Sequence, residues 1–351
     1  MPNVIYKTRN FLPLVCYLLT GTAVTTVSQV IANKHFISDS VQALACVKYA
    51  STLAVSLSSA AFAASPEKLT TIPANTQKRT RRSMQRQLIL VIGCIDVLAY
   101  AAFCTGFAYC DGAVATLVLA GGGQLFTAIM SKYILKKQLS QSQVLGVALV
   151  CIGLCIRGLG PLLSSSQASA PMEEDARQRL YIGLASLLFA SIAYSLLGVI
   201  YQTLVSTGDD PPSHSDIMLQ SSIIGLAAMA GYEVFHVLPK WRFLVIKPMQ
   251  TSGTTAGQAT FWLAAFGAVY NCHSYAAGMV FRTDGAQGVG MVNAVRGASV
   301  ALVSHAFFCS PAKPLQCLTT SSAASAATVT IGGIVWVQGS RSDQATQKKV
   351  Q

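Results

Sequence analysis

The chain has 351 residues, of which 52% are hydrophobic and only 11% are charged, and its mean hydropathy is +0.49. Soluble proteins carry about 25% charged residues, so this composition excludes an ordinary soluble domain. The net charge of +12 at pH 7 does not indicate a nucleic-acid partner, because no basic stripe is interleaved with aromatic residues. Six of the basic residues instead share one connection between apolar segments, and they are Lys68, Lys78, Arg79, Arg81, Arg82 and Arg86.

Apolar segments of about 20 residues, the length needed to cross the hydrocarbon core of a bilayer, follow one another along the chain. They predict ten transmembrane helices, at Phe11–Ile31, Val41–Ala64, Leu88–Tyr109, Ala113–Leu135, Val144–Leu163, Leu180–Val205, Ile217–Leu238, Ala259–Phe281, Gly288–Cys309 and Leu318–Gln338. The first segment is long and no small-residue cleavage site stands out, which indicates a retained span rather than a signal peptide. The expected fold class is an all-α integral membrane protein.

The distribution of Lys and Arg among the connections predicts the orientation. If the N-terminus is cytosolic, fifteen Lys and Arg lie on the cytosolic side and eight on the opposite side, while Lys48 and Arg296 fall inside spans. Cytosolic connections of membrane proteins carry the excess of Lys and Arg. We therefore expect both termini in the cytosol, which requires an even number of spans.

The two halves of the sequence match each other at a constant offset of 173 residues. The matching positions fall in corresponding predicted elements, and they are Gln29 with Gln202, Asp111-Gly112 with Asp284-Gly285, and Ser131 with Ser304. An odd number of spans per repeat inverts the second copy, an architecture that recurs among transporters. We expect two inverted five-helix repeats at residues 1–165 and 180–340, joined by a loop at 166–179 and followed by a cytosolic tail at 341–351.

The predicted fourth and fifth spans carry a family pattern. The sequence is D-G-A-V-A-T-L-V-L-A-G-G-G-Q-L-F-T-A-I-M-S-K-Y-I-L-K-K-Q-L-S from Asp111 to Ser140, and Q-V-L-G-V-A-L-V-C-I-G-L from Gln143 to Leu154. A span that ends in a short basic stretch, followed by a span that opens with a polar residue and G-V-A-L, resembles the drug/metabolite transporter superfamily. Through span number and repeat, the resemblance covers nearly the whole chain, and it implies a transporter.

A second stretch resembles a narrower branch. The sequence V-F-R-T-D-G-A-Q-G-V-G-M-V-N-A-V-R, at residues 280–296, looks like the corresponding part of nucleotide-sugar transporters, where the fungal GDP-mannose transporters carry V-V-R-T and then M-V-G-A-L-N-K. Here Asn293-Ala-Val-Arg296-Gly297 replaces G-A-L-N-K, so a basic residue is kept but shifted by one position. The resemblance implies an anionic, phosphorylated substrate, exchanged for the nucleoside monophosphate.

Arg296 and Lys48 are the two cations that fall deep inside predicted spans. A charge at that depth is costly unless it meets water, a partner or a ligand. The guanidinium of Arg296 also matches the geometry of phosphate oxygens. Arg296 either binds the substrate or pairs with Asp96 or Glu233. Lys48 either contributes to the same site, extends its ammonium group to the membrane surface, or pairs with Asp96.

Tyr270, Asn271, His273 and Tyr275 cluster in the predicted eighth span. Asn271 and Tyr275 share one helix face at the i, i+4 spacing. Tyr and Asn side chains stack on and hydrogen-bond to bases and sugars, and they also join helices to one another in membranes. We keep Asn271, Tyr275 and Tyr270 as candidate contacts, with Asn293 in the replaced motif. His273 alone does not indicate a metal site.

Gln29 and Gln202 are the polar pair related by the repeat. One hypothesis is that they face each other across a central cavity and bind the substrate. The alternative is that each amide joins neighbouring helices, as polar side chains commonly do in membranes.

The C-terminus ends in Lys348-Lys349-Val350-Gln351, which resembles the dilysine retrieval signal of endoplasmic-reticulum membrane proteins. Such a signal is an address that a coat protein recognises on a cytosolic tail. Cys309 and Cys317 flank a short predicted luminal loop, where the sequence leaves a disulfide open.

The expected function is a secondary transporter, an antiporter by family resemblance, of a nucleotide sugar or a related phosphorylated metabolite in the endoplasmic-reticulum or Golgi membrane. The alternative is a transporter of an uncharged or cationic metabolite, in which Arg296 is structural. No metal cluster, GxSxG motif or pair of acids at one membrane depth indicates an enzyme, and no cofactor is expected. The expected partners are the small-molecule substrate and membrane lipid, and a homodimer is left open.

Overall fold

The computed structural model describes residues 2–63, 76–110, 112–134, 136, 139–164, 174–206, 212–283, 285–311 and 316–350. The regular elements of this part of the chain are all helical. Helices α1 to α11 run over Pro2–Lys34, Ala43–Ala63, Thr76–Cys110, Gly112–Tyr133, Gln141–Ser164, Glu174–Ser206, His214–Tyr232, Lys247–Ser252, Ala256–Thr283, Gly285–Phe308 and Thr320–Val350. All but the short α8 follow the ten predicted segments in order.

The apolar character of these helices confirms a multi-pass membrane protein. Six described segments are long and apolar enough to cross a membrane, and they are Leu12–Lys34, Asp39–Ser58, Met84–Cys110, Val114–Tyr133, Arg177–Val205 and His214–Lys240. Gln141–Ile156 and Val295–Phe308 are shorter apolar helices. The count of ten spans and the inverted repeat remain predictions, and the repeat positions Asp111 and Asp284 lie outside the described residues.

Some helices extend beyond the apolar segments that predicted them. Helix α3 begins at Thr76 rather than Leu88, and α6 begins at Glu174 rather than Leu180. Hydropathy detects only the part of a helix that lies in lipid, whereas the backbone hydrogen bonds of a helix continue into water. The added turns contain Gln, Arg and Glu, which are good helix formers.

Apolar side chains cover the outer surface of the bundle as well as its interior. Leu12 and Leu19 on α1 are 65% and 63% exposed, and Leu98 on α3 is 59% exposed. A soluble protein rarely leaves such a surface in contact with water, whereas lipid tails match it. Tyr49 and Phe266 are buried where α2, α3 and α9 meet.

The helices pack in pairs that correspond between the two halves, if α1 to α5 are matched in order to α6, α7, α9, α10 and α11. Helix α3 packs on α6 as α9 packs on α1, and α4 packs on α6 as α10 packs on α1. Helix α3 packs on α7 as α9 packs on α2. Three further close pairs, α2 with α7, α4 with α10 and α5 with α11, join matched helices.

Helices α5 and α11 pack very closely through glycine. A Cβ atom placed on Gly332 would lie 2.7 Å from the carbonyl oxygen of Gly146, a distance that real Cβ atoms do not adopt. Nearby, the hydroxyl of Ser325 donates a hydrogen bond of 2.6 Å to the carbonyl oxygen of Gly153. Small residues allow this close approach of helix backbones in lipid, where the hydrophobic effect does not drive helices together.

An irregular helical segment follows α7; its first turn lies at the end of the predicted seventh span, and the rest lies where the sequence predicted only a connection. It contains π-helical turns at Glu233–Val237 and Arg242–Ile246, a 3-10 turn at Leu238–Lys240 and then α8. This segment packs on the connection between α1 and α2, where the backbone N–H of Ser38 donates to the carbonyl oxygen of Leu244 at 3.0 Å. The hydroxyl of Tyr232 donates to the carbonyl oxygen of Ser40 at 2.6 Å.

A disulfide joins Cys309 and Cys317, whose Cα atoms are 4.6 Å apart. It links the C-terminal end of α10 to the residues that precede α11. The sequence had left this bridge open. The backbone N–H of Leu318 donates a hydrogen bond of 3.2 Å to the imidazole Nδ1 of His305, so the same connection is also held by a hydrogen bond.

The contact between α5 and α11 leads to a stability prediction. Gly332→Ala should lower the free energy of unfolding by about 1–3 kcal/mol, the usual penalty for overpacking, because the added methyl would have to push the two backbones apart. Thermal unfolding of the purified protein in detergent measures this. Gly231→Ala is the matched control, since a Cβ at Gly231 meets no atom within 4 Å. Equal melting temperatures for the two variants would contradict the prediction.

Candidate substrate-binding site

A cavity of about 880 Å³ lies between the two halves of the helix bundle. Its walls come mainly from α1, α3, α4, α6, α9 and α10, and its volume is within the range of about 300–1,000 Å³ typical of small-molecule sites. Residues near the connection from α4 to α5, among them Lys136 and Ser140, also line it. The cavity therefore extends from the middle of the bundle to that end, which the predicted orientation places in the cytosol.

Five side chains from three helices form a connected group, which we call the Arg296 cluster: Tyr17, Thr20, His273, Asn293 and Arg296. All but Thr20 line the cavity. The guanidinium Nη1 of Arg296 lies 3.2 Å from Nε2 of His273. The imidazole stacks on the ring of Tyr17 with centroids 4.5 Å apart, and its Nδ1 lies 3.3 Å from Oγ1 of Thr20. The hydroxyl of Tyr17 donates to Oδ1 of Asn293 at 3.2 Å.

Gly21 makes room for this cluster on α1. A Cβ atom at this position would lie 2.7 Å from Cδ of Arg296 and 2.8 Å from Cε1 of His273. A larger residue would displace the arginine or the imidazole. The backbone of α1 thus forms part of the wall against which Arg296 is held.

The charge of Arg296 is not balanced by an acid. No carboxylate of the described residues lies within 4.0 Å of its guanidinium. The anticipated partners are engaged elsewhere, since Asp96 pairs with Lys48 and Glu233 accepts a hydrogen bond from Cys46 at 3.1 Å. A guanidinium is a donor only, and its Nε is buried without a hydrogen-bond partner in this structure. The cavity therefore has a cationic pole with unused donor capacity.

Lys48 forms the structural ion pair with Asp96 that the sequence had left as one alternative. Its Nζ lies 2.7 Å and 2.8 Å from the two carboxylate oxygens of Asp96, and the residue is 4% exposed. The hydroxyl of Tyr49 also donates to Asp96, at 3.0 Å. The ammonium lies 4.1 Å from the ring centre of Tyr100 and 5.5 Å from that of Tyr270. These two rings line the cavity, so Lys48 lies behind its aromatic wall.

The rest of the lining is aromatic and amide in character. The aromatic members include Tyr17, Tyr100, Phe103, Tyr194 and Tyr270. The amide members include Gln124, Gln202 and Asn293. Gln124 uses its Nε2 to bond the carbonyl oxygen of Gly290 at 2.9 Å, which joins α4 to α10. Such a surface can stack on a planar ring and hydrogen-bond to hydroxyls or ring nitrogens.

Two of the contacts predicted on α9 lie away from the cavity lining. Asn271 is buried and donates to Oγ of Ser51 at 2.9 Å, so it joins α9 to α2. Tyr275 is 43% exposed and lies beside His214. Asn271 and Tyr275 therefore lie in different environments, although they are only one turn apart on α9.

Gln29 and Gln202 do not face each other. Gln202 lines the cavity, whereas the Oε1 atom of Gln29 accepts a hydrogen bond of 2.8 Å from the backbone N–H of Gly112 at the start of α4. The Nε2 atom of Gln29 donates to Asn33, which exchanges two amide hydrogen bonds with Gln316. These amides join α1 to α4 and to the residues before α11, at the opposite end of α1 from Tyr17.

Sequence reasoning missed the contributions of Tyr17 and Thr20 and the part that His273 plays. Tyr17 and Asn293 are 276 positions apart, and Thr20 and His273 are 253 apart. No local pattern marks residues that meet only through the packing of α1 on α9 and α10. Two polar residues on consecutive turns of one helix face an arginine deep in the bundle. This pattern could be recognised only once the packing of the helices was known.

One group of three possible metal ligands lies outside the cavity. His305, Cys309 and Cys317 have their ligand atoms within 4.8 Å of one another. The two cysteines form the disulfide, so their sulfurs are not thiolates, the form that binds metal. This group therefore does not fit a metal ion in the present structure.

The chain is similar to known transporters. A model of the UAA transporter family matches residues 14–340, and the chain belongs to that family. One solved structure, described only as the crystal structure of a protein, shares 12% identity at a TM-score of 0.59 and covers 93% of this chain and 96% of its own. That likeness shows the fold alone. No curated protein matches the chain in sequence.

Family membership confirms the transporter prediction and the resemblance to nucleotide-sugar transporters. Proteins of this family are transporters rather than enzymes. A multi-pass membrane protein of nucleotide-sugar transporter type follows from the match together with the apolar helices.

The buried pair leads to a prediction about Lys48. Asp96→Asn should lower the free energy of unfolding by about 3–5 kcal/mol, because it leaves the buried ammonium of Lys48 without its counter-charge. The double variant Lys48→Met with Asp96→Asn should recover most of the loss. Thermal unfolding of the purified variants measures both. A double variant as unstable as the single one would show that the two charges do not stabilise each other.

Proposed function

We propose that this chain is an antiporter that exchanges a nucleotide sugar, or a related phosphorylated metabolite, for a nucleoside monophosphate across an endomembrane. The observation that carries the proposal is Arg296, a cation in a central cavity whose described neighbours include no carboxylate. A phosphate group is the ligand that would balance this charge. Guanidinium and phosphate also match in geometry, since two parallel N–H groups bind two oxygens.

The remaining lining supports a ligand larger than phosphate alone. Tyr100, Phe103 and Tyr270 give the cavity an aromatic side, and an aromatic ring stacks on a base at about 1–3 kcal/mol per base. Gln202 and Asn293 offer amide groups to sugar hydroxyls or to the edge of a base. The cationic pole, the aromatic wall and the amides together match the parts of a nucleotide sugar.

The predicted inverted repeat is the basis for alternating access. Helices of both halves line the cavity, as expected when the substrate binds between repeats. In this structure the cavity extends towards the α4–α5 end. At the other end the amide group of Gln29, Asn33 and Gln316 joins helices together. Exposure of the site on that side would require these hydrogen bonds to separate.

Localisation belongs to the same proposal. Lys348 and Lys349 lie at the end of α11, and their side chains are outside the described part of the chain. If the orientation predicted from Lys and Arg holds, this end is cytosolic and a coat protein can recognise it. We therefore place the exchanger in the endoplasmic-reticulum or Golgi membrane.

The central test removes the cation. Arg296→Ala should weaken nucleotide-sugar binding about ten- to a hundredfold, because a charge-assisted hydrogen bond contributes about 1.5–3 kcal/mol. Exchange against nucleoside monophosphate in reconstituted vesicles should fall accordingly. Arg296→Lys should recover only part of it, since an ammonium cannot make the two-pronged contact.

Arg177→Ala is the matched control, since Arg177 is exposed near the start of α6 and its loss should leave binding unchanged. A folded Arg296→Ala protein with wild-type affinity would overturn the proposal. Wild-type uptake of uncharged or cationic metabolites, with no stabilisation by any nucleotide in a thermal-shift panel, would instead favour the alternative transporter.

The proposed dilysine retrieval signal has its own test. Replacing both Lys348 and Lys349 by Ser should move a tagged protein from the endoplasmic reticulum to the Golgi or beyond, because coat-protein recognition requires the two lysines. Fluorescence microscopy of the two forms measures the shift. Replacing Gln344 and Gln347 by Ser is the control. An unchanged distribution of the lysine variant would leave the tail as an ordinary basic end.

A further inference from the structure

The contact between Arg296 and His273 fixes where the protons of the imidazole lie. The guanidinium can only donate, so Nε2 of His273 accepts the 3.2 Å hydrogen bond and carries no proton. The proton of the neutral ring is then on Nδ1, which donates to Oγ1 of Thr20 at 3.3 Å. The Thr20 hydroxyl donates its own proton to the carbonyl oxygen of Cys16 at 2.6 Å. In this structure His273 is therefore a neutral acceptor.

A second histidine in the bundle has the opposite arrangement. Nε2 of His214 lies 3.1 Å from the carbonyl oxygen of Ser274, and a carbonyl can only accept, so this nitrogen carries the proton. Nδ1 of His214 accepts from the hydroxyl of Tyr201 at 2.8 Å. His214 does not line the cavity, and both of its nitrogens have settled partners. His273 instead holds an acceptor nitrogen against the cation that is to bind the substrate.

The surroundings of His273 hold one net charge. The titratable and charged groups nearest to it are Tyr17 on α1, Tyr194 on α6, Tyr270 on its own helix α9 and Arg296 on α10. Lys48 and Asp96 lie behind the ring of Tyr270 and neutralise each other. No carboxylate of the described residues contacts the cluster. A proton on His273 would therefore face the charge of Arg296 without compensation unless an anion is bound.

An arriving anion reverses this balance. A phosphate oxygen that takes the Nη1 donor of Arg296 brings its lone pairs close to the bare Nε2 of His273, so two acceptors would face each other. If Nε2 takes a proton from the water of the cavity, the two acceptors become a donor and an acceptor, and imidazolium and guanidinium share the anion. An opposite charge nearby favours the charged form of a histidine.

We propose that His273 takes up one proton for each phosphorylated anion bound at Arg296, so that the proton travels with the substrate. The inference rests on the proposed function, because it needs an anion at Arg296. Neutral imidazole and one proton give imidazolium, and no covalent bond to the substrate forms, so the step balances. The net negative charge that is carried with the substrate is reduced by one. When the anion leaves, repulsion between the two cations returns the proton to water.

The test uses the full chain in detergent with UDP-glucose and GDP-mannose as probes, since their diphosphate diesters do not titrate near neutral pH. Affinity is measured by calorimetry between about pH 6 and pH 8, where an ordinary histidine changes charge. Wild-type affinity should rise up to about tenfold for each unit of decrease in pH, as linkage to one proton requires. Repeating the titration in two buffers of different protonation enthalpy counts the protons directly and should give about one.

His273→Gln should bind the probe with no pH dependence over this range, because an amide can turn its N–H towards the phosphate without gaining charge. His214→Gln is the matched control and should keep the wild-type slope. A His273→Gln protein that keeps the slope overturns the inference, as does wild-type binding without proton uptake, and both outcomes leave the proposed function standing. If the wild type binds neither these probes nor any nucleotide of the thermal-shift panel at any pH, the proposed function fails, and this inference fails with it. The wild-type proton count decides the question even if the variant does not fold.

Discussion

The free-energy penalty for a charge inside a bilayer governs how the interior of this protein is organised. Two cations lie deep in the bundle, and the structure accommodates them in different ways. Lys48 has a carboxylate at 2.7 Å and aromatic rings around it, so its charge is neutralised locally. Arg296 has a neutral imidazole instead. Its charge remains available because the cavity, rather than lipid or a counter-ion, surrounds it.

Hydrogen bonds and close packing in the rest of the bundle stabilise the helices around that cavity. Polar side chains on the helices are mostly bonded to backbone carbonyls, either of their own helix or of a neighbour. Ser195 bonds to Gly123 at 2.9 Å and Ser325 bonds to Gly153 at 2.6 Å. These contacts, with the glycines between α5 and α11, keep part of the bundle closely packed. The helices that carry the Arg296 cluster, α1, α9 and α10, also pack on one another beside the cavity.

The sequence was informative wherever one residue or one window carried the signal. Apolar windows located every long helix, since lipid selects for them directly, and depth within a span singled out Arg296 and Lys48. Pairing with Asp96 was among the alternatives for Lys48, because a charge inside a span needs water, a partner or a ligand. Helix ends in water and the π-helical turns after α7 were not predictable, because hydropathy does not report them.

The sequence did not predict the roles of residues whose partners are distant in the chain. Asn271 looked like a substrate contact but bonds Ser51, and Gln29 bonds the backbone of Gly112. Both outcomes follow from the packing of helices that are far apart in the chain. The role of His273 could not be predicted from the histidine alone, because it depends on contacts with Arg296 on one side and Thr20 on the other.

The disulfide between Cys309 and Cys317 gives the second half of the bundle a mechanical property. It fastens the end of α10, the helix of Arg296, to the beginning of α11, and α11 in turn is pressed against α5 through Gly332 and Gly146. A displacement of α10 at that end must pull α11 with it, and α5 follows because its backbone touches α11. Two helices that lie mostly away from the solute thus add resistance to any tilt of the helix that carries Arg296.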